Sequence, residues 1–170
     1  MKKLSLVICV FNEEQNIKPL SGQIQAALAD YDFEAVFVDD GSTDKTCSEI
    51  KKINDDRFIL VELKMNYGQS SALQAGIDQA EGEFVVLLDG DLQNDPADIP
   101  AMLKMMELDE WDMVAGVRAN RRDGMFLRKI PSKIANFMIR KSTGIHMKDL
   151  GCTLKIFPKE TIKSIHIYGE

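Results

Sequence analysis

Four short apolar runs, each ending in polar or acidic residues, govern what this chain can fold into. Leu4–Val10, Phe33–Val38, Phe58–Leu63 and Phe84–Leu88 are rich in β-branched and aromatic residues and almost wholly apolar, the pattern of strands covered on both faces. Between them lie stretches with helical spacing. Ile17, Leu20, Ile24 and Leu28 recur every three or four residues within Glu14–Ala29, and further helices are expected over Asp44–Ile53 and Ser70–Ala80. Ser42 or Thr43 is the expected cap of the second helix. The alternation predicts an α/β fold, Rossmann-like, with a mostly parallel central sheet and helices on both faces. In such a sheet ligands bind beyond the carboxyl ends of the strands. Here those ends carry Asn12-Glu13-Glu14, Asp39-Asp40-Gly41-Ser42, Asn66-Tyr67-Gly68 and Asp89-Gly90-Asp91. Polar clusters gathered on one edge describe a site.

The second half is less regular. A helix is expected over Asp98–Glu107, a strand over Met113–Val117, an amphipathic helix within Phe126–Lys141 and a strand over Leu154–Phe157. Without repeats, low-complexity tracts or a clear linker, the 170 residues read as one domain, 1–170, with an internal junction at Asp91–Pro96. A hydrophobic content of 45% is enough for a core and excludes a disordered chain. The longest apolar runs, Leu6–Phe11 and Phe84–Leu88, fall far short of the roughly 20 residues that span a bilayer. Asn12-Glu13-Glu14 interrupts the first run where a signal peptide would have its cleavage site, so a cytoplasmic start is expected. Cys9, Cys47 and Cys152 form no CxxC pair, and His146 and His166 are the only histidines. Neither a disulfide framework nor a cysteine-zinc site is suggested, and the cysteines read as buried thiols. A histidine-rich metal site is excluded, so any metal must be held by oxygen, as Mg2+ or Mn2+ is.

Charge is unevenly spread. Arg118, Arg121, Arg122, Arg128, Lys129, Lys133, Arg140 and Lys141 face one acid, Asp123, between 118 and 141. That segment carries +7, which leaves −13 for the remainder of a chain with net charge −6. An acidic body with one basic segment fits an anionic partner, phosphate or an anionic membrane surface, and equally a solvated helix face.

Asp89-Gly90-Asp91 is the most informative local feature. Two carboxylates two residues apart, after a buried strand, can reach one divalent cation, and Gly90 lets the backbone approach closely. Magnesium characteristically takes one or two carboxylates plus phosphate oxygens. Asp39-Asp40-Gly41-Ser42-Thr43-Asp44 fits a turn with a helix cap, yet two adjacent acids exceed what capping requires. Asn12-Glu13-Glu14 is open in the same way, since acids favour a first helical turn. Asn66 and Gly68 sit where a ligand would be met, whereas Ala72 and Gly76 read as close helix–sheet packing. Neither GxGxxG nor GxxxxGK[ST] occurs.

Taken together, LVICVFNEE (Leu6–Glu14), VDDGST (Val38–Thr43), NYGQSSALQAG (Asn66–Gly76), VLLDGDLQNDP (Val86–Pro96), VAGVR (Val114–Arg118) and DLGCTLKIF (Asp149–Phe157) resemble the family 2 inverting glycosyltransferases. The branch they are most similar to holds dolichol-phosphate mannose synthase and the bacterial polyprenyl-phosphate sugar transferases. The resemblance implies a GT-A fold, with residues 1–95 binding the nucleotide sugar and 96–170 forming an acceptor-binding half, incomplete by comparison with relatives that continue further.

It also implies residue roles. Asp39 and Asp40 would contact base and ribose of a UDP- or GDP-type donor, with Val10, Phe11, Glu13, Asn66 and Gly68. Asp89 and Asp91 would hold Mg2+ or Mn2+ on the donor diphosphate, with Gln93 as a further ligand. Arg118, Arg121 and Arg122 would face phosphates of donor or acceptor. Asp91 and Asp149 would be the catalytic pair, Asp149 serving as base for a hydroxyl acceptor or orienting basic side chains for a phosphate acceptor. The implied partners are a nucleotide sugar, a lipid-phosphate or saccharide acceptor and the inner membrane surface, with no nucleic acid. The implied place is the cytoplasmic face of the membrane, in cell-envelope biosynthesis. Homo-oligomers are compatible with this, and a non-catalytic nucleotide-sugar binder is the rival. One departure is clear: Cys9 stands where the family usually has proline. A haloacid dehalogenase-type phosphatase does not fit, because Gln93 replaces its Thr or Val and the motif lies mid-chain. An EF-hand fails too, with Asn94 and Pro100 at its glycine and glutamate positions.

Overall fold

The computed structural model of the chain describes residues 4–108, 111–117 and 152–167. Strands β1 (Leu4–Val10), β2 (Phe33–Asp39), β3 (Phe58–Glu62) and β4 (Phe84–Asp89) alternate with helices α1 (Ile17–Ala27), α2 (Thr46–Lys51) and α3 (Gln69–Gln79). A 3₁₀ turn (Pro96–Asp98) leads into α4 (Ile99–Leu108), followed by β5 (Val114–Ala115), β6 (Lys155–Pro158) and α5 (Lys159–Lys163). The six-stranded sheet runs β3-β2-β1-β4-β6-β5. The first four strands are mutually parallel, and β6 is antiparallel to both its neighbours. The α/β expectation holds.

Strand alternation divides the core. Val7, Val85 and Leu87 pack with Ile77 of α3, with Ala80 just after that helix and with Ile162 of α5, while Val36 and Val38 meet Ala72 of α3. The intervening Leu4, Leu6, Ile8, Phe33, Ala35 and Phe37 are fully buried on the opposite face, and Ile17, Leu20 and Ile24 of α1 are fully buried as well. Close packing of α3 on the sheet is borne out: a Cβ on Gly76 would lie 2.3 Å from Val7 Cγ1 and 2.9 Å from Val38 Cγ2.

Several local expectations are corrected. Helix α1 starts at Ile17 rather than Glu14, so neither Glu13 nor Glu14 occupies its first turn. Glu14 instead accepts the Lys45 N–H at 3.0 Å. Helix α2 has no cap from Ser42 or Thr43. Asp44 Oδ1 accepts from Thr46 N at 2.9 Å, while Ser42 Oγ and the Thr43 N–H are engaged with Asn12. Strand β5 is only two residues long, and α5 was not expected at all.

The chain divides into two compact units, residues 1–115 with 153–170 and residues 116–152. Every element named above belongs to the first. The expected helix within Phe126–Lys141 lies outside the described residues.

Candidate active site

At the β1–β4 boundary the chain order reverses: β2 and β3 lie to one side of β1, and the crossover through α3 returns to the other. Beyond the strand ends at this switch point opens a cleft of about 410 Å³. Its lining includes Cys9, Val10, Phe11, Glu13, Asp40, Asn66, Gly68, Asp89 and Asp91, together with Gln69, Ala72 and Gly90.

Register brings the walls together. Cys9 stands opposite Asp89 on β4 and opposite Val38 on β2, while Val10 pairs with Asp39. The Asp-Gly-Asp turn lies tight against β1, because a Cβ on Gly90 would meet Val10 Cγ1 at 2.6 Å. After Asp91 the chain passes through Leu92 at φ 62°, a left-handed conformation costly for a residue with a Cβ. That turn returns the Gln93 N–H to Asp91 Oδ1 at 3.0 Å.

The opposite wall is built on Asp40. This residue is 4% exposed, and its carboxylate accepts the Tyr67 N–H at 2.8 Å and the Gly68 N–H at 2.9 Å. It thereby ties the β3–α3 loop to the end of β2. Asn66 Oδ1 supports the same loop through Gly68 N at 3.2 Å. Helix α3 then begins without a side-chain cap.

A reciprocal set of hydrogen bonds fixes the rim. Asn12, at φ 56°, donates its N–H to Ser42 Oγ at 2.8 Å and accepts the Thr43 N–H at 2.9 Å. Glu13 N–H reaches Thr46 Oγ1 at 2.8 Å, and Glu14 N–H reaches Asp44 at 3.2 Å. The first turns after β1 and β2 thus hold each other, which leaves Phe11 half-exposed at the mouth (44%).

Two expected residues are absent from the cleft lining. Asp39 is the last residue of β2, and alternation turns it away from the face of Val38 and α3. Its Oδ2 accepts the Ser42 N–H at 3.0 Å, and Oδ1 is buried without a hydrogen-bond partner among the described residues. Burial first, then the carboxylates of Asp39 and Glu62, push the nearby Cys47 thiol up to about 12. Gln93 is exposed, and it meets Asp91 through its backbone. Arg118, Arg121, Arg122 and Asp149 lie outside the described residues.

Cys9, which the sequence marked only as a departure, lines the cleft. Burial foremost, then Asp89 and Asp40, pushes its thiol far above the usual thiol range. No group of three or more His, Cys, Asp or Glu side chains among the described residues is arranged to hold a metal alone. Asp89 and Asp91 are two hard oxygen donors beside an open cleft. That set suits Mg2+ or Mn2+ only when a ligand's own oxygens complete the shell.

A doubly wound sheet with its cleft at this switch point and an Asp-Gly-Asp turn on the cleft wall is the GT-A arrangement. The chain belongs to glycosyl transferase family 2, whose family model matches residues 5–165. It is 47% identical over 173 residues to the dodecaprenyl-phosphate galacturonate synthase of Rhizobium johnstonii, covering 99% of this chain and 51% of that protein. It is 39% identical over 170 residues to the undecaprenyl-phosphate 4-deoxy-4-formamido-L-arabinose transferase of Pseudomonas syringae pv. syringae, covering 97% and 50%. The chain thus spans about half the length of these curated relatives. Among solved structures, a mannosyltransferase from Pyrobaculum calidifontis in complex with GDP-Man and Mn2+ shares the fold, with a TM-score of 0.73 at 22% identity, covering 99% of this chain and 48% of that one. S. aureus TarS in complex with UDP gives 0.67 at 24%, covering 95% and 48%.

Proposed function

We propose that this chain transfers a sugar from a UDP- or GDP-type donor to a polyprenyl phosphate, with inversion at the anomeric carbon. One observation carries the reading: Asp40 on one wall of the cleft and Asp89 and Asp91 on the other line a single opening at the switch point. Two relatives support the acceptor, one a dodecaprenyl-phosphate galacturonate synthase and the other an undecaprenyl-phosphate 4-deoxy-4-formamido-L-arabinose transferase.

Val10, Phe11, Glu13 and the Asp40-held loop with Asn66 and Gly68 form the surface for base and ribose. Asp89 and Asp91 would hold a divalent cation together with the donor diphosphate. When bound, such a cation stabilises charge on the departing nucleoside diphosphate. Gln93 supports this by holding Asp91 through its backbone N–H. A phosphate acceptor is already ionised at neutral pH, so it needs positioning more than a base. Arg118, Arg121 and Arg122 are the groups proposed to position it, with Asp149 orienting them. The basic segment 118–141 would face the membrane from the cytoplasmic side. No helix among the described residues is long and apolar enough to cross a membrane.

Thermal-shift screening with nucleoside diphosphates, with Mn2+ or with EDTA, tests this reading. Ligands that bind the native state raise its stability by mass action. Either UDP or GDP should stabilise the protein with Mn2+ and lose that effect with EDTA, and Asp91→Ala should behave like the chelated protein. Equal stabilisation with and without metal, in both proteins, would contradict the metal assignment.

A further inference from the structure

Gln69 opens α3, and its side chain crosses the cleft. Its Nε2 donates to Asp89 Oδ1 at 3.0 Å, between residues 20 apart in sequence. An ionised carboxylate only accepts, so the amide must present its nitrogen. Gln69 starts from a fixed point, because the Tyr67 and Gly68 N–H groups just before it are bound by buried Asp40. Just after it, the Ser71 and Ala72 N–H groups reach back to the Gly68 carbonyl at 3.1 and 3.2 Å. The acidic residues of the cleft lining are Glu13, Asp40, Asp89 and Asp91, and Gln69 sets a neutral donor against one of them. Gln69 itself is exposed, so no packing requirement of the core explains this contact.

We infer that Gln69 is a positioning residue. It holds the Asp89 carboxylate in the orientation from which it and Asp91 ligate the cation, an inference that rests on the metal reading above. Hydrogen-bond partners of metal-ligating groups fix the ligand's orientation, and losing one typically weakens metal binding about 10–100-fold. A merely structural role at an exposed helix start would move stability and leave metal affinity alone.

The test is Mn2+ titration followed by EPR, with Mn2+ alone and with excess UDP or GDP. The proteins compared are the unmodified chain, Gln69→Met, Gln69→Asn and Asp89→Asn. Methionine keeps the length without the amide, and asparagine keeps the amide but withdraws it by one methylene. Both Gln69 variants should bind Mn2+ about 10–100-fold more weakly. Their thermal midpoints should stay within about 2 °C of the unmodified chain, as for most surface changes. Asp89→Asn should bind least. If the Gln69 variants bind like the unmodified chain while Asp89→Asn does not, the metal reading stands and the role of Gln69 falls. If the unmodified chain and Asp89→Asn take up equally little Mn2+, the metal reading fails and takes this inference with it. A weakening that only tracks lost thermal stability assigns Gln69 to folding and overturns the proposal.

Discussion

The carboxylate of Asp40 receives the backbone N–H of Gly68 at 2.9 Å across 28 residues of sequence, and this bond fixes the loop from which α3 starts. With the Tyr67 N–H on its other oxygen, Asp40 satisfies two backbone donors at once. Asp40→Ala should therefore destabilise the protein by about 2–3 kcal/mol, because partly buried N–H groups lose a charged acceptor. Asp40→Asn should cost less, since one acceptor oxygen remains. If the loop also forms the nucleotide surface, UDP or GDP affinity should fall in both variants even with excess Mn2+. Urea unfolding and calorimetric titration measure the two effects separately. Loss of stability with unchanged nucleotide affinity would reduce Asp40 to a loop clamp.

Gly76 gives a packing prediction. A methyl there would enter Val7 and Val38, stiff side chains of the sheet, at 2.3 and 2.9 Å. Overpacking typically costs about 1–3 kcal/mol, which outweighs the up to about 1 kcal/mol alanine gains in a helix. Gly76→Ala should lower the thermal midpoint by several degrees. The same change made beside Val7→Ala should cost less, because the smaller side chain leaves room. A raised midpoint for Gly76→Ala alone would contradict the packing.

Much of this was legible in the sequence, for physical reasons that also mark where legibility stops. Buried parallel strands need long apolar runs, so β1 was read with the residues it has, and the polar strand ends located the cleft. The acid pair Asp39-Asp40 was read as one unit, yet adjacent residues at a strand end point to opposite faces, and only Asp40 lines the cleft. That period-2 alternation was the available signal. A four-residue strand carries no mark of its direction, so antiparallel β6 was not foreseen. Helix α5 spans five residues, too few to show a helical period. Gln69 sat inside a quoted motif, but nothing in a helix-opening glutamine announces a bond to a carboxylate 20 residues on.

Asp55 supplies a pH dependence. The Arg57 guanidinium bonds it at 2.8 Å, Gln25 Nε2 at 2.9 Å and the Arg57 N–H at 3.1 Å. The Arg57 side-chain bond foremost, with lesser help from Gln25 and against a burial effect that raises it, holds this carboxyl well below the usual range. A depressed folded pKa adds stability that is present above the unfolded value and is lost as pH falls through the folded one. Asp55→Asn should thus cost about 1–2 kcal/mol at pH 7, the half-exposed Arg57 limiting the effect. The gap should begin to close below about pH 5 and continue closing beyond it. Denaturant midpoints from pH 7 to pH 3 measure this, and a constant gap would refute the linkage.

The basic segment yields a membrane prediction. Its +7 between Arg118 and Lys141 is interleaved with Met125, Phe126, Leu127, Ile130, Ile134 and Phe137, a mixture suited to head-group phosphates and acyl chains. Polybasic attraction is worth about 1 kcal/mol per charge near an anionic surface and is screened by salt. Co-sedimentation should require anionic vesicles and fade at high salt, and Arg121→Ala with Arg122→Ala should weaken it. Equal binding to neutral vesicles would remove the lipid-surface reading.

The central claim is sugar transfer to a polyprenyl phosphate, and the most direct measurement is product formation. Each labelled UDP- and GDP-sugar of a panel would be incubated with the protein, Mn2+ and a short polyprenyl phosphate, and the lipid-linked product analysed by mass spectrometry and NMR. One donor should give a polyprenyl-phosphate sugar of inverted anomeric configuration, in amounts that collapse in Asp91→Ala. Donor binding without transfer to polyprenyl phosphate or to any saccharide would contradict the account and leave a nucleotide-sugar-binding protein.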